Sequence, residues 1–354
     1  MAGGLEKNIL LLANHLVRSG RKVSLVTFDR PGAIAFYEID PKINWYTVGK
    51  TNPHSPIGFL DRLRLIYDIR LVIKQNDRPI VVCFHHGLIP RFYLASLMLR
   101  LRLVCSERNS LSLYQHIRQG KWSLGFLALA LTDRITVQFK SYVRDYPFWL
   151  KKRICIIHNP VHGAKIKAAP DVPDVNGRFR LLTVGRLCAQ KNQKLLIDAF
   201  ALQSQNYPRW DLSIVGDGDL YDELSDYINS KGLAKRVFLE GKQTDVPRWL
   251  IDSHLFCLPS RWEGFPNALA EAMSHGLPCV GLVECAGVRD LIEHEKNGLL
   301  TEGSRLAEAL GKLMKSSERR KRMGRSAAEL IACYAPENSF KNWDALLEQL
   351  DGIS

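Results

Sequence analysis

The second half of the chain alternates strictly between short apolar runs and amphipathic helical segments. Each run is rich in Val, Ile, Leu and Phe, and the segment after it has the spacing of apolar residues typical of a helix. Consecutive parallel strands need a crossover connection, so this alternation predicts a parallel sheet with helices on both faces. The runs, which begin beyond Arg178, are "RLLTV", "DLSIVG", "RVFLEG", "HLFCLPS", "LPCVGL" and "GLLT".

The first half shows the same α/β alternation less regularly, and it predicts a second doubly wound domain. The chain opens on a helical pattern, "LEKNILLLANHLVRSG", whereas a βαβ domain normally begins with a strand. We therefore expect the first strand of this domain to be missing. A chain of 354 residues can hold two domains. The predicted organisation is an N-terminal domain over 1–163, a Pro/Gly/Ala-rich linker over 164–177, a C-terminal domain over 178–335 and a final helix over 336–354.

The positive charge is concentrated in the first half of the chain. Residues 1–170 carry 26 Lys and Arg against 10 Asp and Glu, a net charge of +16, whereas the remainder has 23 against 26, a net charge of −3. This asymmetry indicates an anionic partner, either nucleic acid, a phosphate-bearing substrate or an anionic membrane surface. A solvated basic face without a partner is the alternative. Nucleic acid is disfavoured because no recognition motif accompanies the basic residues.

The cysteines and the pattern of apolar residues indicate the cellular compartment of the protein. The eight cysteines are scattered, mostly within apolar runs, without the spacing of a metal site, so we expect reduced thiols and no metal. No run approaches the roughly 18 apolar residues of a membrane span. The N-terminus lacks the basic and apolar regions of a secretory signal. These features predict a cytoplasmic protein.

Two glutamates flank a predicted strand-to-helix turn in "SRWEGFPNALAEA". Pro266 or Asn267 suits the helix start, which leaves Glu263 at the strand's tip and Glu271 about one turn into the helix. In parallel α/β sheets, ligands bind at such strand ends, where helix N-termini present unpaired N–H groups. Taken alone, a pair of this kind is more often surface charge.

Five elements, in order along nearly the whole chain, resemble the retaining GT-B-fold glycosyltransferases of family 4. The resemblance implies two Rossmann-like domains that face a central cleft, with the last helix crossing back to the N-terminal domain. It also implies sugar transfer from a nucleoside-diphosphate donor without metal or other cofactor. The elements are "GGLEK", "LLTVGRLCAQKN", "SIVGDGDL", the E-x7-E of Glu263 and Glu271, and "EKNGLL".

The resemblance implies donor-site roles for several residues. Arg186 and Lys191 would neutralise the donor diphosphate, whose developing charge a basic pair can stabilise. Glu263 would lie near the anomeric carbon, and Glu271 would bind the ribose hydroxyls. Gly216 and Gly218 are expected beside the nucleotide, but a tight turn with a purely structural role explains them nearly as well. The remaining residues expected along the donor phosphates and sugar are Gly3, Gly4, Gly185, Gly216, Gly218, Phe265, Pro266, Asn267 and Ala268.

The acceptor side departs from the family pattern. Arg108, in "SERNS", stands where many relatives carry a histidine, and an arginine there is suited to an acceptor diphosphate. His85 and His86 follow the run "IVVCF", and a structural or a catalytic role is open for each. Asp290 replaces the glutamate usual in the family, which leaves its role open.

In this family the acceptor binds the N-terminal domain, where the charge of +16 lies. The basic amphipathic segment Phe59 to Gln75 is suited to anionic lipid headgroups, although an ordinary sheet-covering helix fits it equally. We therefore expect a UDP-hexose or UDP-N-acetylhexosamine donor and a lipid-diphosphate-linked saccharide acceptor at the inner face of the plasma membrane, as in surface polysaccharide or glycan assembly.

Two other classes of protein remain as alternatives. A glycoside hydrolase also uses two carboxylates but has no need of a basic pair at a strand end. A catalytically impaired GT-B scaffold is the stronger alternative, because a missing first strand removes the centre of the N-terminal sheet.

Overall fold

A computed structural model of the chain describes residues 4–49, 58–111 and 124–352. Gly3, a predicted donor-site residue, lies outside the described residues. The chain divides into two compact units, the first formed by residues 1–159 and 339–354 and the second by residues 160–338. Each unit is an α/β structure with parallel strands, so the predicted fold class is confirmed.

The first unit holds two separate parallel sheets among its described residues, ordered β1-β2 and β3-β4-β5-β6. Its strands are β1 (Ser24–Thr27), β2 (Asn44–Thr47), β3 (Ile80–Cys83), β4 (Arg102–Ser106), β5 (Arg134–Val137) and β6 (Ile154–Ile156). The described helices are α1 (Gly4–Arg18), α2 (Phe59–Lys74), α3 (Ile89–Ser96), α4 (Leu124–Ala130) and, from Ser339 onward, the C-terminal α12 (Pro336–Asp351).

Helix α1 packs against both sheets of the first unit. Apolar residues recur along it at three- and four-residue spacing, which places them on one side of the helix. Ala13 and Val17 contact apolar residues of the β1-β2 sheet, while Leu12 packs in the cluster that contains Val104 of β4. Helices α1 and α12 are joined by a hydrogen bond, because Nε2 of His15 in α1 lies 2.9 Å from Oδ2 of Asp344 in α12.

Helix α3 ends earlier than its sequence pattern predicts. The segment "IPRFYLASLMLRL" reads as one helix, but Leu97 is extended and Met98 adopts a left-handed φ of 62°. Arg70 of α2 stabilises this end, because its Nη1 donates to the carbonyl oxygens of Ala95 and Leu97 at 2.9 and 2.7 Å. A side chain from a neighbouring helix thus replaces the hydrogen bonds of a further turn.

The second unit contains one six-stranded parallel sheet, ordered β12-β11-β10-β7-β8-β9, and all six predicted strands are present. They are β7 (Phe179–Val184), β8 (Trp210–Val215), β9 (Val237–Gly241), β10 (Leu255–Leu258), β11 (Cys279–Leu282) and β12 (Gly298–Thr301). The described helices are α5 (Gln193–Ser204), α6 (Tyr221–Ser230), α7 (Val246–Ile251), α8 (Asn267–Ser274), α9 (Ala286–Leu291), α10 (Leu306–Lys315) and α11 (Ser317–Ile331).

The order of the second sheet reverses between β7 and β10. From β7 the chain proceeds to β8 on one side, and it later returns to β10 on the other side of β7. At such a switch point the neighbouring loops lead in opposite directions, which opens a crevice at the carboxyl ends of the strands. All residues of β10 and β11 are buried, so the strands give this crevice a rigid base.

Residues 164–177, predicted as a linker, form hydrogen bonds with the rest of the second unit. The side-chain amine of Lys167 donates to the carbonyl oxygen of Ser274 at 2.5 Å. Arg320, which is buried, donates from Nε to the carbonyl oxygen of Pro170 at 2.6 Å. Burial lowers the pKa of Arg320 to about 10, so the guanidinium is charged at neutral pH. This segment is therefore part of the surface of the second unit.

Candidate active site

The loop after β7 carries the two predicted diphosphate residues. β7 ends at Val184, and the exposed Arg186 follows two residues later. Lys191 precedes α5, and the intervening Asn192 adopts a left-handed φ of 54°, a conformation that Asn tolerates better than most residues. The aliphatic stem of Lys191 lies against Gly185, where an added Cβ would be 3.3 Å from Lys191 Cδ and Cε. This turn directs the lysine back over the end of β7.

A lysine–glutamate pair joins the two loops of the switch point. Lys191 Nζ lies 2.5 Å from Oε1 of Glu263, which follows β10. Their side chains are only 20% and 8% exposed. Charges withdrawn from water are costly unless they are paired, so the pair holds both groups in place. The structure therefore brings together two of the predicted catalytic residues at the position where an α/β sheet binds its ligand.

Cys285 adds a third strand end to the site. It follows β11 and precedes α9, and its thiol is close enough to Glu263 and Lys191 to feel both charges. Burial and the negative charge of Glu263 raise the pKa of Cys285 to about 12. The thiol is therefore protonated at neutral pH and unsuited to act as a nucleophile. The sequence analysis treated Cys285 only as one of eight reduced thiols, and its position soon after the run that forms β11 was the signal available.

Close backbone packing explains the two glycines after β8. Gly216 has a φ of +141°, and an added Cβ there would lie 2.0 Å from the carbonyl oxygen of Gly185. At Gly218 an added Cβ would lie 2.4 Å from the carbonyl oxygen of Leu187. The loop after β8 is thus pressed against the loop after β7 without room for a side chain. A role of either glycine beside a nucleotide stays a prediction.

The turn between Glu263 and Glu271 leads into α8. Pro266 is the N-cap of this helix, which begins at Asn267. The N–H groups of a first helical turn have no intrahelical acceptor, so those of Ala268 and the next residue can bind an anion. Phe265 is buried against Tyr334, with ring centroids 5.8 Å apart, and this contact anchors the turn. Glu271 is the fifth of the eight residues of α8, about one turn into the helix, and is half-buried.

Asp290, the departure from the family pattern, lies in α9. Burial raises the pKa of Tyr334 to about 12, and the negative charge of Asp290 acts in the same direction. Asp290 is therefore near the Tyr334 ring on which Phe265 packs.

The first unit has its own cluster of polar residues at strand ends. His86 follows β3, and its Nδ1 lies 3.0 Å from Oε1 of Glu107, which follows the neighbouring β4. Both side chains are buried, and Cys105 Sγ lies 3.3 Å from the same carboxylate oxygen. The sequence analysis singled out His86 but did not predict that it pairs with Glu107. The signal was that β3 and β4 are consecutive strands, whose ends meet at one sheet edge.

Arg108 is fixed by several contacts in the first unit. Its guanidinium lies over the ring of Phe84, 5.4 Å from the centroid, and it donates to Ser106 Oγ at 3.3 Å and to Asn159 Oδ1. Burial lowers the pKa of Arg108 to about 10, which leaves it charged at neutral pH.

Gly4, a predicted donor-site residue, is the first residue of α1. Its carbonyl oxygen accepts a hydrogen bond from the side-chain amide of Asn8 at 2.8 Å.

Two further properties concern metals and membranes. No group of three or more His, Cys, Asp or Glu in the described ranges is arranged to hold a metal ion. Within those ranges no helix combines the length and the apolar character that a membrane span requires.

Two Rossmann-like units, the second with a lysine–glutamate pair at its switch point, define a GT-B-fold transferase. Family comparisons agree with this class. The model for "Glycosyltransferase Family 4" matches residues 2–164, and the model for "Glycosyl transferases group 1" matches residues 166–330. The chain belongs to the family 4 glycosyltransferases, which confirms the resemblance stated from its motifs.

Individual relatives agree with this assignment. An uncharacterized glycosyltransferase of Haemophilus influenzae is 26% identical over 353 residues, 98% of this chain and 96% of the relative. The UDP-Gal:alpha-D-GlcNAc-diphosphoundecaprenol alpha-1,3-galactosyltransferase of Escherichia coli is 35% identical over 161 residues, 42% of this chain and 41% of the relative. Anabaena HepE in complex with UDP and glucose shares the fold, with a TM-score of 0.77, 20% identity and coverage of 98% and 96% of the two chains.

Proposed function

We propose that this glycosyltransferase moves a hexose or N-acetylhexosamine from a UDP-sugar to a hydroxyl of a lipid-diphosphate-linked saccharide, with retention at the anomeric carbon. The acceptor class places the reaction in surface polysaccharide or glycan assembly at the inner face of the plasma membrane. The observation that carries the proposal is the Lys191–Glu263 pair at the switch point of the second unit.

The site has the chemistry that departure of a diphosphate requires. Lys191 supplies a fixed cation, Arg186 an exposed one, and the first turn of α8 supplies N–H donors. These groups stabilise the negative charge that develops on the leaving phosphate. In this proposal they perform the neutralisation without a metal ion or other cofactor.

We propose a same-face displacement for the transfer step. The bond between the anomeric carbon and the donor phosphate oxygen breaks, and its electron pair stays on that oxygen. The acceptor hydroxyl oxygen forms the new bond to the same face of the carbon, and its proton passes to the departing phosphate oxygen. Glu263 is already held by Lys191 at 2.5 Å, so we assign it to positioning and charge stabilisation near the sugar, not to covalent attack.

The relatives support the donor and acceptor classes. The E. coli relative is named for a UDP-Gal donor and a diphosphoundecaprenol-linked acceptor, and the HepE structure holds UDP and glucose. In this chain Arg108 is a half-buried, charged guanidinium just after β4, which suits an acceptor phosphate. The net charge of +16 over residues 1–170 favours the same anionic class.

Binding of nucleoside diphosphate is the direct test of the donor proposal. We expect UDP to bind the purified protein and to raise its stability by about 2.7 kcal/mol at 100 times the dissociation constant. UMP should bind at least about 10-fold more weakly, because it lacks the second phosphate that the lysine and the α8 N–H groups contact. Calorimetry and thermal melts measure both effects. The donor proposal fails if UDP does not bind the folded protein.

The outer face of α2 supports the membrane proposal. Its inner face buries Leu65 and Ile69, as a sheet-covering helix must. However, Leu60 and Leu63 on the other side are 78% and 49% exposed, and Phe59 is 74% exposed. Basic residues lie along the same helix. Exposed apolar residues beside cations are the pattern that binds an anionic membrane interface.

A flotation assay tests this membrane contact. We expect the protein to float with vesicles containing about 30% anionic phospholipid at low salt, because each basic residue near the surface adds about 1 kcal/mol. The double variant Leu60→Ser, Leu63→Ser should reduce the bound fraction by about 10-fold, since it removes two exposed apolar side chains. Leu202→Ser, at a 70% exposed leucine of α5, is the control and should float normally. Equal flotation of both variants would contradict the proposal.

A further inference from the structure

Helix α3 is apolar on its exposed side as well as on its buried side. Ile89 and Phe92 are buried, whereas Tyr93 and Leu94 are 36% and 50% exposed. Arg91 is the one charged residue of this helix, and it is half-buried. A helix that is apolar on all sides is normally covered on all sides. The exposed side of α3 therefore indicates an external apolar partner.

The exposed apolar side continues past the end of α3. Leu97 is 47% exposed and Met98 is 100% exposed. Met98 also has a left-handed φ of 62°, a conformation that costs free energy in residues with long side chains and is enriched at functional sites. Tyr93, Leu94, Leu97 and Met98 thus form one exposed apolar surface, which we call the α3 tip.

The backbone carbonyl groups at this end of α3 have hydrogen-bond donors within the chain. Ser96 Oγ donates to the carbonyl oxygen of Tyr93 at 2.7 Å. The N–H group of Leu97 donates to the carbonyl oxygen of Leu94 at 3.4 Å, and the N–H group of Leu99 donates to that of Ser96 at 2.8 Å. Three of the carbonyl groups that end the helix are therefore paired locally.

Arg70 of α2 pairs with the remaining two carbonyl groups. Its Nη1 donates to the carbonyl oxygens of Ala95 and Leu97. The last four carbonyl groups of a helix normally depend on water or a cap, because they lack an intrahelical partner. The core of a bilayer offers no water, so backbone groups that enter it must be paired within the protein. The five carbonyl groups of residues 93–97 meet that condition.

Basic side chains lie close to the α3 tip. Helices α2 and α3 pack together, and on α2 the residues Arg64, Tyr67, Leu71 and Lys74 recur at three- and four-residue spacing, which places them on one side of the helix. All four are exposed. Arg100, also exposed, follows the tip along the chain. Cations in this position are suited to the phosphate level of an anionic bilayer.

We propose that the α3 tip inserts below the headgroups of an anionic bilayer, with Leu97 and Met98 among the acyl chains and Arg64, Lys74 and Arg100 at the level of the phosphates. This inference rests on the membrane location in the proposed function. It adds to the surface of α2 a second contact element and an insertion depth.

The paired backbone favours lipid over protein as the partner of the α3 tip. A protein interface normally contains about one hydrogen bond per 100–200 Å². The carbonyl groups of the tip already have donors, and its side chains, apart from the hydroxyl of Tyr93, carry no strong hydrogen-bonding group. Acyl chains need no such bonds, and the exposed apolar side chains gain free energy on leaving water.

The methionines of the chain provide a direct test. Of those in the described ranges, Met98 is fully exposed, whereas Met273, Met314 and Met323 are buried in the second unit. The full chain is labelled with ¹³C-methyl methionine and bound to nanodiscs of about 30% anionic phospholipid, with or without a nitroxide on the acyl chain. We expect the nitroxide to broaden the methyl signal of Met98 beyond detection and to leave the three buried methionines unchanged. Met98→Leu identifies the signal by its loss.

A substitution at Met98 separates membrane binding from folding. Met98→Asn removes the apolar side chain, but asparagine tolerates the left-handed φ, so the melting temperature should stay the same or rise. Its partition coefficient onto anionic vesicles should fall by at least about 10-fold. Met98→Leu should bind normally. Val175→Asn, at a fully exposed valine of the second unit, is the matched control and should also bind normally.

The outcomes distinguish this inference from the proposed function. If the wild-type protein floats with vesicles but the Met98 signal keeps its intensity, or if Met98→Asn binds as well as Val175→Asn, the insertion is wrong and the proposed contact of α2 is unaffected. If the wild-type protein does not float, both membrane contacts are wrong. Broadening of the Met98 signal with protein concentration in the absence of lipid would identify a second copy as the partner and overturn the inference. UDP binding is measured without lipid, so the donor proposal is tested independently.

Discussion

Replacing Lys191 with alanine is expected to lower kcat for sugar transfer by about 10²–10³-fold, the usual effect of removing one preorganised group that stabilises developing charge. Lys191 Nζ is held 2.5 Å from Glu263 and is only 20% exposed as a side chain, so it acts from a fixed position. Its removal leaves the diphosphate without this cation. Nucleotide release from a panel of nucleoside-diphosphate sugars with a lipid-linked acceptor measures the loss.

A second effect of Lys191→Ala must be separated from the first. The variant also breaks the ion pair between Lys191 and the buried carboxylate of Glu263, which destabilises the protein by up to about 3 kcal/mol. The double variant Lys191→Ala, Glu263→Gln removes that charge and should recover much of the stability. We expect it to remain inactive, because the cation is still absent.

Lys194 provides the matched control. It lies three residues further along the chain, in α5, and its exposed ion pair with Glu223 has an N–O distance of 2.9 Å. Exposed pairs of this kind contribute little to stability, because water screens the two charges. Lys194→Ala should therefore change kcat by less than about 2-fold. If Lys191→Ala retains the same activity as Lys194→Ala in a folded protein, the proposed role of Lys191 is wrong.

The second unit shows why much of a site of this kind can be predicted from sequence. Its strands β10 and β11 are buried on both faces, so they appear as continuous apolar runs separated by helical periodicity. In parallel sheets each loop after a strand lies at the same edge, so residues after β7 and β10 are expected together. Lys191 and Glu263 are 72 residues apart in the chain, and this rule alone places them at one edge.

Features that depend on atomic contacts were not predictable in the same way. Cys285 has the apolar neighbours of a core thiol, and only the sheet order brings it beside Glu263. The early end of α3 depends on Arg70 from another helix, a contact with no local sequence signal. By contrast, the pairing of His86 with Glu107 follows from the adjacency of the consecutive strands β3 and β4, a signal that the sequence did contain.

Gly216→Ala is expected to destabilise the second unit by about 3 kcal/mol or more and to weaken UDP binding by about 10–100-fold. The φ of +141° is a region that residues with a Cβ rarely adopt, at a cost of about 1–3 kcal/mol. The added Cβ would also lie 2.0 Å from the carbonyl oxygen of Gly185, so one loop must move. Gly185 packs on Lys191, and displacement of a binding group by about 1 Å can cost 10²-fold in function.

Gly232→Ala isolates the steric contribution. Gly232 also has a positive φ, +68°, but an added Cβ there would meet nothing within 4 Å. The substitution should therefore cost only about 1–2 kcal/mol, from backbone strain, and leave UDP affinity unchanged. Urea unfolding and calorimetry with UDP measure the two quantities for both variants. Equal UDP affinity in the two variants would show that contact between the loops after β7 and β8 does not position the diphosphate, and the assignment of Lys191 to that position would lose its structural basis.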